Sequence, residues 1–271
     1  MRDPATPAAR ALEAEGAELH RGDVTAAESL AGAFDGVAVA YYLVHAMSGG
    51  AGFHERELAG ARNFARGAAS AGVARVVYLG GLGDDAVSEH LRSRHATAVA
   101  LREEGPPLTY FRAAMVVGAG SESYRTLRYL VKRLPVMIAP SWLRTDTQPI
   151  AIDDVTDYLT RAPEVPESAG REVQIGGPDV LAYGEMLDRM ADAMGVRRRP
   201  KVPVPLITPW LSALWLGLVT PVDTNVARPL VEGLRTATVV TDPSGAAPFG
   251  IEPVTFEVAL GRALQEERAA G

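Results

Sequence analysis

Residues 37–44 read Val37-Ala38-Val39-Ala40-Tyr41-Tyr42-Leu43-Val44, eight apolar or aromatic residues in succession. A run of strand length without polar alternation predicts a strand buried on both faces, the habit of parallel sheets. Two runs downstream repeat the pattern: residues 75–79 (RVVYL) and 108–112 (LTYFR). A helical stretch at 53–71, with Gly72 placed to cap its end, lies between the first and second runs. Another, at 88–104, lies between the second and third and is stopped by Gly105-Pro106-Pro107. Strands separated by helices of this length predict βαβ units and a parallel sheet, an α/β fold.

Upstream of this block, residues 17–20 form a short strand candidate before the turn Arg21-Gly22-Asp23. Residues 25–34 have helical spacing, with Leu30 and Phe34 four apart, and Asp35-Gly36 makes a turn. Downstream, residues 124–134 predict a helix carrying Arg125, Arg128, Lys132 and Arg133. Asp153 and Asp154 open a short helix to about Thr160. Residues 171–175 predict a strand ended by Gly176-Gly177-Pro178, and 183–194 an amphipathic helix. The expected organisation is a nucleotide-binding type of domain over 1–145 and a smaller C-terminal lobe over 146–271.

Composition narrows the function. The 271 residues hold 27 Lys+Arg and 33 Asp+Glu, for a net charge of −6, which disfavours general nucleic-acid binding. Hydrophobic residues make up 47% and charged residues 22%, which excludes a disordered chain. The absence of cysteine excludes disulfides, thiolate zinc sites and a cysteine nucleophile. The opening MRDPATPAARALEAEG has no apolar signal region, so a cytoplasmic location is expected. The stretch from Val202 to Val222 (VPVPLITPWLSALWLGLVTPV) carries no charge, yet Pro203, Pro205, Pro209 and Pro221 interrupt it. The longest unbroken helix there would span about 15 Å, half a hydrocarbon core. The favoured reading is a buried helix or lid over a hydrophobic pocket, with a dimer surface or membrane contact as alternatives.

Motif scans are sparse. Gly81-Leu82-Gly83-Asp84-Asp85-Ala86 formally matches G-x-G-x-x-G/A, but Asp84 and Asp85 would repel a pyrophosphate, so an ordinary turn or active-site loop is expected. Gly118-Ala119-Gly120-Ser121 is expected to be a loop after a strand. His20, His45, His54, His90 and His95 form no H-E-x-x-H, and G-x-S-x-G and Walker A patterns are absent.

The series Asp23…Tyr41-Tyr42-Leu43-Val44-His45…Asn63-Phe64-Ala65…Val77-Tyr78-Leu79-Gly80-Gly81-Leu82-Gly83 resembles the atypical short-chain dehydrogenase/reductase superfamily. It is most similar to the NmrA-like, NAD(P)H-binding branch. Residues His90-Leu91-Arg92-Ser93-Arg94, Arg112-Ala113, Gly118-Ala119-Gly120-Ser121, Arg133-Leu134-Pro135-Val136-Met137, Thr147-Gln148-Pro149-Ile150 and Gly176-Gly177-Pro178-Asp179 continue the likeness to about Arg235. The resemblance implies a Rossmann-type parallel sheet, NADP or NAD as cofactor, and a hydrophobic small molecule as substrate. Members begin with a strand, a T-G-A-T-G-x-x-G loop, a helix and a second strand ending in a V-R-D-P-like segment. This sequence opens at Met1-Arg2-Asp3-Pro4 and so resembles a member lacking the first βαβ unit, with cofactor binding impaired. The expectation is an upstream natural start, with Met1 in place of a family valine; a remnant that pairs with another chain is the alternative. In the family's strand order, strand 17–20 would then lack a neighbour and strand 37–44 would become an exposed apolar edge.

The resemblance also places the site. His90 and Arg94 stand where the family's Y-x-x-x-K has tyrosine and lysine, a proton carrier and a ribose-holding cation. A solvated helix face explains the same pair. Arg94 cannot give up its proton, and Gly80 and Gly81 replace the serine of active dehydrogenases. Arg2 matches a position that meets the 2′-phosphate of NADP, though a second residue is expected to fray. Asp23 matches the adenine side or is a turn cap, with Val24 beside it. Leu43, Val44 and His45 end one strand where the cofactor crosses. Tyr78, Leu79, Gly80 and Gly81 end the next, facing the nicotinamide, and Ala114 and Met115 follow the third. Three readings remain open: a reductase or isomerase-like redox enzyme, a non-catalytic NAD(P)H-sensing or scaffold protein, and an assembly or membrane-associated factor using Val202–Val222.

Overall fold

The computed structural model describes residues 1–44, 53–83, 89–134, 136–139, 141–203 and 236–270. In chain order, the first elements are α1 (Pro7–Ala14), β1 (Val39–Tyr42), α2 (Phe53–Ser70), β2 (Arg75–Gly81), α3 (Glu89–Glu104) and β3 (Leu108–Ala113). Then come β4 (Val116–Val117), α4 (Glu122–Arg133), β5 (Met137–Ala139), β6 (Asp146–Thr147), β7 (Ile150–Ala151) and α5 (Ile152–Arg161). The last are β8 (Glu172–Ile175), β9 (Leu181–Ala182), α6 (Tyr183–Ala193), β10 (Lys201–Pro203) and α7 (Phe256–Ala270). A parallel sheet of four strands, in the order β1-β2-β3-β8, gives the α/β fold that the strand–helix alternation requires. β1 and β2 pair in parallel, with Tyr42 opposite Tyr78.

The chain divides into two compact units. The first comprises Met1–Leu79, Ser93–Tyr110 and Ala169–Arg171. Its core sets alanines of α2 against aromatic residues on the strands, with Phe64 of α2 and Leu101 of α3 packed beside them. Ala61, Ala65 and Ala68 recur on one face of α2 and are fully buried. Tyr42, Tyr78 and Tyr110 form a row: Tyr42 and Tyr78 lie 6.0 Å apart between ring centroids, and Tyr78 stacks on Tyr110 at 5.3 Å. Phe64 meets both Phe34 and Tyr42 edge-on at 5.1 and 5.0 Å. The close fit needs glycine at 67, where a Cβ would lie 2.8 Å from the Phe34 ring. Gly72, at φ +76°, ends α2 as expected, its N–H donating to the Ala69 carbonyl at 3.1 Å.

Four expectations for this unit are corrected. Residues 17–20 are not a strand: the Ala17 N–H donates back to Leu12, and the His20 carbonyl accepts from the Met1 amino group at 2.7 Å. That amino contact, with Gly22 N–H donating to Met1, ties down the end that was expected to fray. The helix at 25–34 shrinks to one 3₁₀ turn, Ala27–Leu30, because Ser29 turns its hydroxyl onto the Asp23 and Ala26 carbonyls. The strand at 37–44 is not buried on both faces. Ala40 and Tyr42 are buried while Tyr41 is exposed, and Leu43 and Val44 lie beyond the strand at 52% and 48% exposure. β1 is the end strand of the sheet, the edge position foreseen for it.

The second unit comprises Gly80–Arg92, Phe111–Ser168 and Glu172–Gly271. Large side chains fill its core: Tyr124, Leu127, Leu130 and Val131 from α4, Met186, Leu187 and Met190 from α6, and Leu260 and Ala263 from α7. Ser121 caps α4 by accepting from Tyr124 N–H at 3.4 Å, so the glycine-rich 118–121 segment is the loop between β4 and α4. α7 is anchored by carboxylates: Asp179 accepts from the Phe256 N–H at 2.8 Å, and Asp154 from the Val254 N–H at 3.0 Å. The pairs β4–β7 and β5–β10 are parallel and β6–β9 is antiparallel. Among the described residues no helix is long and apolar enough to cross a membrane.

Candidate functional site

In the first unit, the carboxyl end of β2 meets α3. The Arg94 guanidinium donates to the Leu79 carbonyl at 3.3 Å, and the Tyr78 hydroxyl donates to the Arg94 carbonyl at 3.3 Å. Arg94 is thus joined to Tyr78 and Leu79, 16 and 15 residues away in sequence. Tyr78 is 2% exposed, and burial pushes its phenol well above the usual range, so its side chain serves the core and only its backbone borders the site. Leu43 and Val44 present apolar surface just beyond β1.

The positions nearer the N-terminus are held by local bonds. Asp23 accepts from the Thr25 N–H at 2.9 Å and the Thr25 hydroxyl at 2.8 Å. These bonds, with a smaller contribution from the nearby Arg2 charge, hold its carboxyl below the usual carboxylate range. That is turn-cap geometry. Val24 packs over Gly60, and its carbonyl accepts from the Asn63 amide at 2.9 Å. Arg2 is exposed.

In the second unit, Gly80 is buried and Gly81 half-buried at the end of β2. A Cβ at Gly81 would lie 2.8 Å from Leu91, and one at Gly83 3.1 Å from it. The glycines therefore let Leu91 lie on the backbone, a packing role that favours the ordinary-turn reading of Gly81–Ala86; Asp84 and Asp85 lie outside the described residues. Met115 packs partly against the core, and Ala114 is half-buried beside it. His45 lies outside the described residues. His90 belongs to α3, but its side chain is outside what is described.

Two polar constellations were not foreseen. Arg112, with its side chain 8% exposed, pairs with Glu172 at 2.7 Å and donates to the Gly83 carbonyl at 3.0 Å and the Gly81 carbonyl at 3.3 Å. It clamps the turn after β2. In the first unit, buried Ser93 donates to Glu57, and the His54 Nδ1 lies 3.1 Å from the same hydroxyl. The three-residue spacing of His54 and Glu57 on α2 was visible; their meeting with Ser93 was not. No group of three metal-ligating side chains occurs among the described residues.

The sheet and its crossover helices define a Rossmann-type α/β protein. The profile of the NmrA-like family matches residues 1–167, and the chain belongs to that family. No curated protein matches the sequence. Among solved structures, the fold is similar to an NADPH-dependent quinone oxidoreductase from Escherichia coli, complexed with NADPH. That pair has 17% identity and a TM-score of 0.75 over 97% of this chain and 88% of the other. It is also similar to a triphenylmethane reductase from Citrobacter sp., with 17% identity and a TM-score of 0.74 over 95% and 86%. A UDP-glucose 4-epimerase from Thermotoga maritima, with UDP-glucose, has 16% identity and a TM-score of 0.69 over 94% and 86%.

Proposed function

We infer that the protein binds NAD(P)(H) and reduces a hydrophobic small molecule, with residues 146–271 forming the substrate lobe. The observation that carries this is the family match over 1–167, which covers the strand ends where such cofactors lie. The residues present fit the nucleoside parts of the cofactor. Leu43 and Val44 offer exposed apolar surface, Gly80 and Gly81 add no side chain, and Arg94 is a cation fixed at the end of β2. Asp23, Val24, Arg2, His45, Tyr78, Leu79, Ala114 and Met115 are the remaining proposed contacts.

The nicotinamide, when bound, supplies hydride to an acceptor. Arg94 would hold a ribose or phosphate oxygen, and His90 would deliver a proton near neutral pH. One observation favours a sensor instead: His90 and Arg94 replace the tyrosine–lysine pair, and glycine replaces the serine. Incubating the protein with NADPH and a quinone separates the readings. The reductase reading expects acceptor-dependent loss of NADPH absorbance, reduced at least tenfold by Arg94→Met. NADPH bound in calorimetry but not consumed would establish the sensor, and no binding of NADPH or NADH would overturn both.

A further inference from the structure

A molecule of net charge −6 carries a strongly basic run in the second unit. Residues 196–201 read Val-Arg-Arg-Arg-Pro-Lys. The Arg199 side chain donates to the Val131 carbonyl at 2.9 Å, which fixes this run against the last turn of α4, where Lys132 and Arg133 stand exposed. Six cations therefore gather there: Lys132, Arg133, Arg197, Arg198, Arg199 and Lys201. Two carboxylates answer them, Asp192 pairing with Arg198 at 2.6 Å and Asp188 with Lys201 at 2.5 Å. Lys132, Arg133 and Arg197 pair with no carboxylate among the described residues. Arg133 lies over the Tyr129 ring instead, 5.2 Å from its centroid. Lys132 and Arg133 also suit the C-terminal dipole of α4, but that account leaves the arginine run unexplained.

Exposed apolar surface adjoins the cations. β10 pairs with β5 in parallel, Lys201 opposite Met137 and Val202 opposite Ile138. Val202 and Val136, at the start of this ribbon, are 49% and 45% exposed. The sequence that follows β10 continues without a charge to Val222 and contains Trp210 and Trp215. Cations beside exposed apolar side chains are the chemistry of an interfacial lipid contact, where headgroup phosphates meet the cations and aliphatic groups enter the acyl boundary. A nucleic acid would use the cations but not the apolar side chains.

We propose that this face, Lys132, Arg133 and Arg197–Lys201 with Val136 and Val202, binds the surface of an anionic phospholipid bilayer. The contact is peripheral and does not depend on the cofactor reading above. The test is cosedimentation of the full chain with vesicles of phosphatidylcholine alone and with about one-third phosphatidylglycerol, in low and high salt. Binding is expected only to the anionic vesicles, weakening as salt rises. Each cation near such a surface is worth about fivefold in partitioning, so the triple variant Lys132→Gln, Arg133→Gln, Arg197→Gln should bind on the order of a hundredfold more weakly. A control triple, Arg10→Gln, Arg21→Gln, Arg102→Gln, should bind as the parent does. The proposal falls if neither vesicle binds, if both bind equally, or if salt has no effect. It also falls if the control triple weakens binding as much, or if duplex DNA binds more tightly than the anionic vesicles. Should the first triple fail to fold by circular dichroism, the salt and lipid series on the parent chain decide.

Discussion

The two cores of this protein are packed by opposite means. The first unit brings α2 close to its sheet by keeping the helix face small, Ala61, Ala65 and Ala68, and lets the strands supply Tyr42, Tyr78 and Tyr110. The second packs helix on helix with large side chains on every partner, Leu127 and Val131 on α4, Met186 and Met190 on α6, and Leu260 on α7. A core of close contacts around alanines fails when something is added. A core of interlocking large residues fails when something is removed.

Substitutions test that contrast. Met186→Ala, at a position with no exposure in the second unit, should cost about 3–4 kcal/mol, read as a lowered midpoint in urea. Arg112→Met should cost about 3 kcal/mol, since it strands Glu172 and the Gly81 and Gly83 carbonyls. Glu172→Gln should cost less, because Glu172 is the more exposed partner and its amide still accepts from Arg112. In the first unit the sign reverses. Ala65→Leu should destabilise by about 2 kcal/mol, although it adds apolar surface, while Ala65→Gly should cost only about 1 kcal/mol. If Ala65→Leu were neutral and Ala65→Gly severe, the contrast between the cores would be broken.

The smallest effect is a pH dependence. Burial, the largest influence on Asp154, raises its carboxyl above the ordinary value, against the opposing hydrogen bond from Val254 N–H. The folded protein therefore holds this proton more tightly than the unfolded chain. That contribution is fully present below the unfolded carboxylate value and is lost as pH rises through the higher folded value. Asp154→Asn keeps an acceptor for Val254 and removes the titration. Thermal melts should show the parent losing about 1 kcal/mol or less relative to Asp154→Asn as pH climbs through that range.

Most of the sheet and its helices was legible, because runs such as 75–79 and 108–112 and helices such as 53–70 state their burial locally. The errors fall where a neighbour decides. Residues 17–20 look like a strand, but no strand pairs with them among the described residues, and the backbone bonds to Leu12 of α1 and to Met1. Ser29 draws the 25–34 region out of helix through its hydroxyl, an effect that apolar spacing does not register. Residues 37–44 read as doubly buried because all are apolar, yet in β1 only the face that carries Ala40 and Tyr42 is covered. In the candidate site, Arg94 bonds to the Leu79 carbonyl, two positions that the family resemblance had marked separately. The Ser93 contacts with His54 and Glu57 span 39 and 36 residues and carry no local signal.

The tyrosine row has an optical consequence. The protein's three tryptophans, Trp142, Trp210 and Trp215, all belong to the second unit's stretch of chain, and the first unit has none. Indole emission excited at the red edge therefore comes from the second unit's stretch of chain, where Trp142 lies in the core. The stacked Tyr78 and Tyr110 add the first core's share to the near-ultraviolet circular dichroism, beside that of Tyr124, Tyr158, Tyr183 and Trp142 in the second unit. Partial loss of that dichroism ahead of any change in indole emission would show the first core letting go before the second.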